Sequence, residues 1–296
     1  MNKLKPLPEE WSGLLNNEQK EAIENINGPL LIIAGAGSGK TRVLTYRYAH
    51  LIKTYGINFE NVLAITFTNK AANEMKDRIS DLLNLELSPK WISTFHSLCV
   101  KMLRIHGHLI GFNNNFTIYD QSDSTKLVRN CMRDSDIDTK QYSPKRIQAH
   151  ISSLKNQRIL PGEAVEFAQS FFDVKVAEIY SSYQKKLMLA NSMDFDDLLI
   201  KAVELLETSD KSLNYWSSKF QYIMIDEYQD TNMVQYRLVE LLASKHKNIC
   251  VVGDSDQSIY AFRGADIRNI EEFESDFKDA KVISLEKNYR SSQKIL

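Results

Sequence analysis

The run Leu30-Leu31-Ile32-Ile33 passes directly into Ala34-Gly35-Ala36-Gly37-Ser38-Gly39-Lys40-Thr41, and this junction constrains the fold more than anything else in the chain. Four apolar residues ahead of a glycine-rich loop read as a buried strand, and the residues after Lys40 carry helical spacing. Glycines let the backbone curl until successive N–H groups point inward. A β-phosphate can then sit in the cradle, with Lys40 reaching the β/γ oxygens and the Thr41 hydroxyl available to Mg²⁺. The strict pattern has Gly where this chain has Ala34, a departure that a tight turn accommodates. The expected ligand is a nucleoside triphosphate, held by Ala34, Gly35, Ala36, Gly37, Ser38, Gly39, Lys40 and Thr41.

A hydrolytic site needs acids opposite that loop. Tyr222-Ile223-Met224-Ile225 has the pattern of a second buried strand and ends in Asp226-Glu227. One acid can hold Mg²⁺ and the other can orient and deprotonate the attacking water; the expected metal ligands are Thr41 and Asp226, and the expected base is Glu227. Val251-Val252-Gly253 then runs into Asp254-Ser255-Asp256-Gln257. In a parallel sheet that loop falls on the ligand-bearing edge, with Gln257 placed for a γ-phosphate.

Further apolar runs at Leu30 to Ala34, Val62 to Phe67, Trp91 to Ser93, Tyr222 to Asp226, Ile249 to Gly253 and Val282 to Leu285 alternate with helical patterns. The reading is an α/β parallel sheet wrapped by helices. Lys40 and Asp226 are much farther apart in sequence than one crossover requires, so something is inserted. Between about Ile110 and Met193 the pattern is mostly helical, including a long run from Gly162 to Leu189. The expected organisation is a sheet domain of residues 1–109 and 191–280, an all-helical subdomain of residues 110–190, and residues 281–296 opening a further domain. Ser291 to Leu296 reads as the first turns of a helix with no stop signal, which suggests truncation.

A 43% hydrophobic content over 296 residues supports a large core, and the net charge of −1 excludes a globally basic nucleic-acid protein. Any such grip must be local. Between Lys126 and Arg158 eight Lys/Arg face three Asp, and this surplus, with Lys145, Arg146 and Lys155 in it, is read either as a solvated helical face or as a contact to duplex nucleic acid. Three scattered cysteines without ligand-pair spacing argue for reduced thiols, and the absence of a signal or membrane segment argues for a cytoplasmic protein.

Taken in order, several segments resemble the N-terminal portion of a UvrD/Rep/PcrA-type superfamily 1 DNA helicase over nearly the whole chain. They are the Gln19 segment, Ala34 to Thr41, Thr66 to Ala72, Thr94-Phe95-His96-Ser97, Asp194 to Leu198, Ile225 to Thr231, Gly253 to Arg263 and Asn288-Tyr289-Arg290-Ser291. The resemblance implies a RecA-like P-loop motor that uses ATP and Mg²⁺, with Gln19 pairing with adenine, Tyr289 stacking on it, and Arg290 acting as an arginine finger. It implies a track for single-stranded DNA formed by Phe67, His96, Phe195, Tyr260, Phe262 and Arg263, where relatives often have Trp in place of Phe262. It also implies 3′-to-5′ polarity, single/double-strand junctions as partners, and a second motor domain beyond this chain. Without that domain the chain is expected to bind ATP and DNA but hydrolyse poorly. A helicase-nuclease motor and a stand-alone ATP/DNA-binding module are the alternatives. A GTPase switch is disfavoured, because Asn69-Lys70-Ala71-Ala72 lacks the acid that reads guanine.

Overall fold

The computed structural model describes residues 4–86, 89–254 and 268–289. Its strands are β1 (Leu30–Ala34), β2 (Val62–Thr66), β3 (Ile92–Thr94), β4 (Thr117–Ile118), β5 (Ser192–Met193), β6 (Tyr222–Ile225), β7 (Ile249–Gly253) and β8 (Lys281–Leu285). The helices are α1 (Glu9–Ser12), α2 (Asn17–Glu24), α3 (Lys40–Lys53), α4 (Asn69–Leu83), α5 (Phe95–His106), α6 (Gln121–Asp134), α7 (Pro144–Asn156), α8 (Phe171–Leu189), α9 (Phe195–Thr208), α10 (Asp210–Lys219), α11 (Met233–Ala243) and α12 (Arg268–Asp276).

Six strands form one parallel sheet, as the sequence pattern predicts, and their order is β3-β2-β6-β7-β1-β8. Their apolar runs are nearly continuous because helices cover both faces, so side chains pointing either way are removed from water. Leu30, Ile32, Val62, Ala64, Met224, Cys250 and Val252 meet in one core with Val43 and Leu44 of α3. The chain divides into two compact units. The sheet unit comprises Met1–Leu98, Leu213–Thr231 and Val239–Leu296, and the helical unit comprises Cys99–Ser212 and Asn232–Leu238.

The sheet's order places the ligand edge. β7 lies between β1 and β6, so the loops after these three neighbours open side by side at their carboxyl ends. The segments after β1, β6 and β7 are the phosphate loop, Asp226-Glu227 and Asp254.

The helical unit has its own core, in which Val128, Ile147, Ile151, Val176 and Tyr180 come together from α6, α7 and α8. Its helices begin at identifiable caps. The Asp120 and Ser170 side chains accept from the backbone N–H three residues on, and Pro144 takes the first position of α7. The sequence suggests a helix from Gly162 onward, but Ser170 starts α8 only at Phe171 and residues before it form turns. The short pair β4–β5 also went unforeseen, because two-residue strands have no readable period.

Candidate nucleotide site

Four consecutive carbonyls of the phosphate loop are held in hydrogen bonds. Gly37 and Gly39 lie in the left-handed region at φ 72° and 94°, a conformation that glycine adopts without steric cost. Gly35 carbonyl accepts from both the N–H and the hydroxyl of Ser38, at 3.3 and 2.8 Å. The next three carbonyls are held by groups from outside the loop. Asn288 Nδ2 donates to Ala36 O at 2.7 Å, the Tyr289 N–H to Gly37 O at 2.9 Å, and Gln19 Nε2 to Ser38 O at 3.1 Å. With four consecutive carbonyls held in this way, loop amides other than that of Ser38 can face an anion at the N-terminus of α3.

Gln19 is 2% exposed rather than the solvent-facing helical residue its sequence context alone suggests. Its Oε1 accepts from the Asn16 N–H while the Asn16 side chain accepts from the Gln19 N–H, a capping box that starts α2. At the other end of α2 the buried Arg47 Nη1 donates to the carbonyls of Ala22 and Asn25 at 2.6 Å each. α2 is thus fixed at both ends, and Gln19 packs against the loop so closely that a Cβ on Gly39 would stand 2.8 Å from Nε2. Tyr289 is half exposed, with its hydroxyl accepting from Asn16 Nδ2 at 3.0 Å.

The acids converge on the same place. Thr41 Oγ1 donates to Asp226 Oδ2 at 3.2 Å. Lys40 Nζ lies 3.4 Å from Glu227 Oε2 and 3.7 Å from Asp254 Oδ2, yet among the described residues it makes no hydrogen bond although it is buried. An ammonium desolvated and left without a hydrogen-bond acceptor is costly. A polyphosphate in the cradle would supply that acceptor, so the residues fit the ligand. Burial and then the neighbouring Glu227 charge push the Asp226 carboxyl up to about 6, a penalty that a divalent cation would offset. No group of three or more His, Cys, Asp or Glu among the described residues forms a metal cage. Thr41 and Asp226 offer two oxygens, which suits an ion such as Mg²⁺ that keeps waters and takes phosphate oxygens.

Glu227 is at φ 52°, a left-handed conformation that costs a side-chain-bearing residue on the order of 1 kcal/mol or more. Its N–H donates to Asp226 Oδ1 at 3.0 Å, which couples the orientations of the two acids. Gln229, which the sequence reading passed over, donates from Nε2 to Glu227 Oε2 at 2.8 Å and accepts on Oε1 from the Asp254 N–H at 3.0 Å. Asn288 lies in one of the resembling segments, but nothing in sequence ties its side chain to the loop.

The structure therefore brings Lys40, Thr41, Asp226 and Glu227 together with the loop, Gln19 and Tyr289. Gln257, Tyr260, Phe262, Arg263 and Arg290 lie outside the described residues. Phe67 and His96 follow β2 and β3 in the sheet unit. Phe195 opens α9 in the helical unit and is 53% exposed. Asp194 and Asp197 on either side of it form a capping box and are both 2.7 Å from Lys155 Nζ. This corrects the basic-patch reading at Lys155. Lys155 is 1% exposed and contributes nothing to a nucleic-acid face, because Ile147, Ile151 and Lys155 fall four apart on the buried side of α7.

A glycine-rich loop, its lysine and hydroxyl, and paired acids on the carboxyl edge of a parallel sheet define the P-loop nucleoside-triphosphatase class. Within that class the chain belongs to the UvrD/REP helicase N-terminal domain family, which it matches over residues 15–278. It is 50% identical over 282 residues to the ATP-dependent DNA helicase PcrA of Staphylococcus epidermidis and equally to that of Staphylococcus aureus. The matched region covers 95% of this chain and 39% of each of those proteins, so the chain spans about two fifths of their length. No helix among the described residues is long and apolar enough to cross a membrane.

Proposed function

We propose that this chain is the ATP-hydrolysing motor portion of a DNA helicase that moves 3′ to 5′ along single-stranded DNA and opens single/double-strand junctions. The observation that carries this reading is the convergence of Lys40, Thr41, Asp226 and Glu227 on one carbonyl-tethered loop, in a chain of this family. By function the motor is assigned to residues 1–109 and 191–280 and the helical insertion to residues 110–190, bounds that differ from the compact units, in which residues 99–109, 191–212 and 232–238 fall in the helical unit; the residues beyond 280 are read as leading toward a second motor domain.

In this reading the loop amides and Lys40 bind the triphosphate, Thr41 and Asp226 hold Mg²⁺, and Gln19 and Tyr289 flank adenine. When bound, the metal offsets charge that develops on the phosphoryl oxygens. Glu227 accepts the proton of the attacking water, Gln257 contacts the γ-phosphate and Arg290 acts as a finger. Phe67, His96, Phe195, Tyr260, Phe262 and Arg263 grip single-stranded DNA, where base stacking is indifferent to sequence and so suits a translocase. Because the chain spans 39% of its relatives, we propose that alone it binds ATP and DNA and turns over slowly, a second arginine finger being worth roughly a thousandfold.

Steady-state ATP hydrolysis with and without single-stranded DNA tests both parts. The full-length protein is expected to show DNA-stimulated turnover that Lys40→Ala abolishes and that Glu227→Gln reduces to a small residual rate while retaining nucleotide binding. The isolated chain is expected near background. Turnover unaffected by Glu227→Gln would remove that residue from the base role, and rapid DNA-stimulated turnover by the chain alone would contradict the need for a second domain.

A further inference from the structure

Four side chains at the carboxyl edge of the sheet form a closed ring. Lys40 Nζ pairs with Glu227 Oε2 at 3.4 Å, Gln229 Nε2 donates to that same oxygen at 2.8 Å, Gln229 Oε1 accepts from the Asp254 N–H at 3.0 Å, and Asp254 Oδ2 returns to Lys40 at 3.7 Å. The orientation of the Gln229 amide follows from its partners, since a carboxylate only accepts and a backbone N–H only donates. Gln229 is 1% exposed. Its turn is anchored by the buried Tyr228, edge-on to Phe273, and by Thr231 Oγ1 donating to Tyr228 O at 2.7 Å. β7 makes room for it, because a Cβ on Gly253 would approach Gln229 Oε1 to 3.2 Å and Ile270 Cδ1 to 3.1 Å.

We propose that Gln229 is a positioning residue for hydrolysis, holding one carboxylate oxygen of Glu227 so that the other is presented to the attacking water, and tying that carboxylate to the backbone at the end of β7. This rests on the reading of Glu227 as the base. The chemistry explains the residue type. An anion in the cradle competes for Lys40 and takes one of the two partners of Glu227 Oε2 away. Gln229 is neutral, is not drawn to phosphate, and retains the other. Asn is one methylene short of spanning from Glu227 to Asp254, and Glu would set a like charge against Glu227. Only a glutamine offers a donor and an acceptor at this reach.

The test uses DNA-stimulated ATP hydrolysis and fluorescent-nucleotide binding by the full-length protein. Gln229→Ala is expected to lower kcat about 10- to 100-fold, the cost of a mispositioned catalytic group, while KM for ATP and nucleotide Kd stay within about threefold. The double variant Glu227→Gln/Gln229→Ala is expected to be no slower than Glu227→Gln alone, since one residue acts through the other. A merely structural role would instead lower the melting temperature and weaken nucleotide binding together. If Gln229→Ala fails to fold, Gln229→Glu decides, because it keeps the size and the acceptor for Asp254 but removes the donor. Its kcat should fall with KM retained. Wild-type kcat in the folded Gln229 variant beside collapse in Glu227→Gln would overturn this proposal and leave the base assignment standing. Multiplying losses in the double variant would also overturn it. Retained turnover in Glu227→Gln alone would instead mark failure of the underlying reading.

Discussion

Lys40 and Lys155 each stand between two carboxylates, one at the sheet's ligand edge and one inside the helical unit, and their distances separate their roles. Lys155 lies 2.7 Å from both Asp194 and Asp197, with Tyr183 donating to the same Asp194 oxygen and Gln184 to the same Asp197 oxygen. Burial works against its charge, but Asp197 and Asp194 prevail and hold the ammonium well above its ordinary range. Lys40 has its acids at 3.4 and 3.7 Å and no hydrogen bond among the described residues. A satisfied cluster is a clamp, whereas an unsatisfied one is a receptor. The Lys155 clamp joins α7 to the start of α9, and Lys40 has no such closure among the described residues.

The largest effect should separate these two lysines by stability. Lys155→Ala strands two buried carboxylates and is expected to cost about 3 to 5 kcal/mol, measured by urea or thermal unfolding. Lys40→Met should change stability by about 1 kcal/mol or less, since Glu227 is half exposed and Gln229 still holds it. Ligand linkage should show the reverse ranking. Mg²⁺-ATP at a hundred times Kd should raise wild-type stability by about 2.7 kcal/mol and do nothing for Lys40→Met. Equal stability losses in the two variants would break the distinction between clamp and receptor.

The residues of the phosphate-loop cluster were legible in sequence and the clamp was not. Glycines before a lysine, and acids after an apolar strand, announce their chemistry because the backbone conformation and the ligand both demand those residue types. The six sheet strands were legible for a similar reason, since burial on both faces writes an uninterrupted apolar run. Lys155 is identical in type to a solvated lysine, and only its fourfold spacing from Ile147 and Ile151 hints that it points inward. Gln229 and Asn288 carry no such hint. Their partners, Asp254 and Ala36, lie on other segments that only the folded sheet edge brings near.

A third buried basic group sharpens the comparison by having no acid opposite it. His50, on α3, is fully buried with Nδ1 against Thr54 Oγ1 at 2.9 Å and Nε2 without a hydrogen bond among the described residues. Burial pushes the ring down to about 4, against a smaller upward pull from the Lys5 backbone and with some help from the charge of Arg47. The folded protein therefore holds His50 neutral while the unfolded chain takes up a proton near 6.5. Its contribution is essentially complete above about pH 7 and is lost as pH falls toward 4, an effect of about 3 kcal/mol. His50→Gln should flatten the stability profile across that window without altering it above pH 7. An unchanged acid limb would show that other groups govern it.

The smallest effect concerns what the clamp supports. Phe195 is 53% exposed although Asp194 before it and Asp197 two residues after it are buried, so the start of α9 presents an aromatic face from a base fixed by Lys155. Half-exposed phenylalanine at a helix start contributes little to a core, and Phe195→Ala should change stability by about 0.5 kcal/mol or less. Stacking of a base on that ring is worth about 1 to 3 kcal/mol, so the same substitution should weaken single-stranded DNA binding about 5- to 150-fold with no preference among base sequences. Phe195→Trp should restore it. Fluorescence anisotropy with unstructured oligonucleotides of different composition reads both quantities. DNA affinity that survives Phe195→Ala would mean that the clamp fixes α9 for the fold of the helical unit alone, and that its exposed ring is not part of a DNA track.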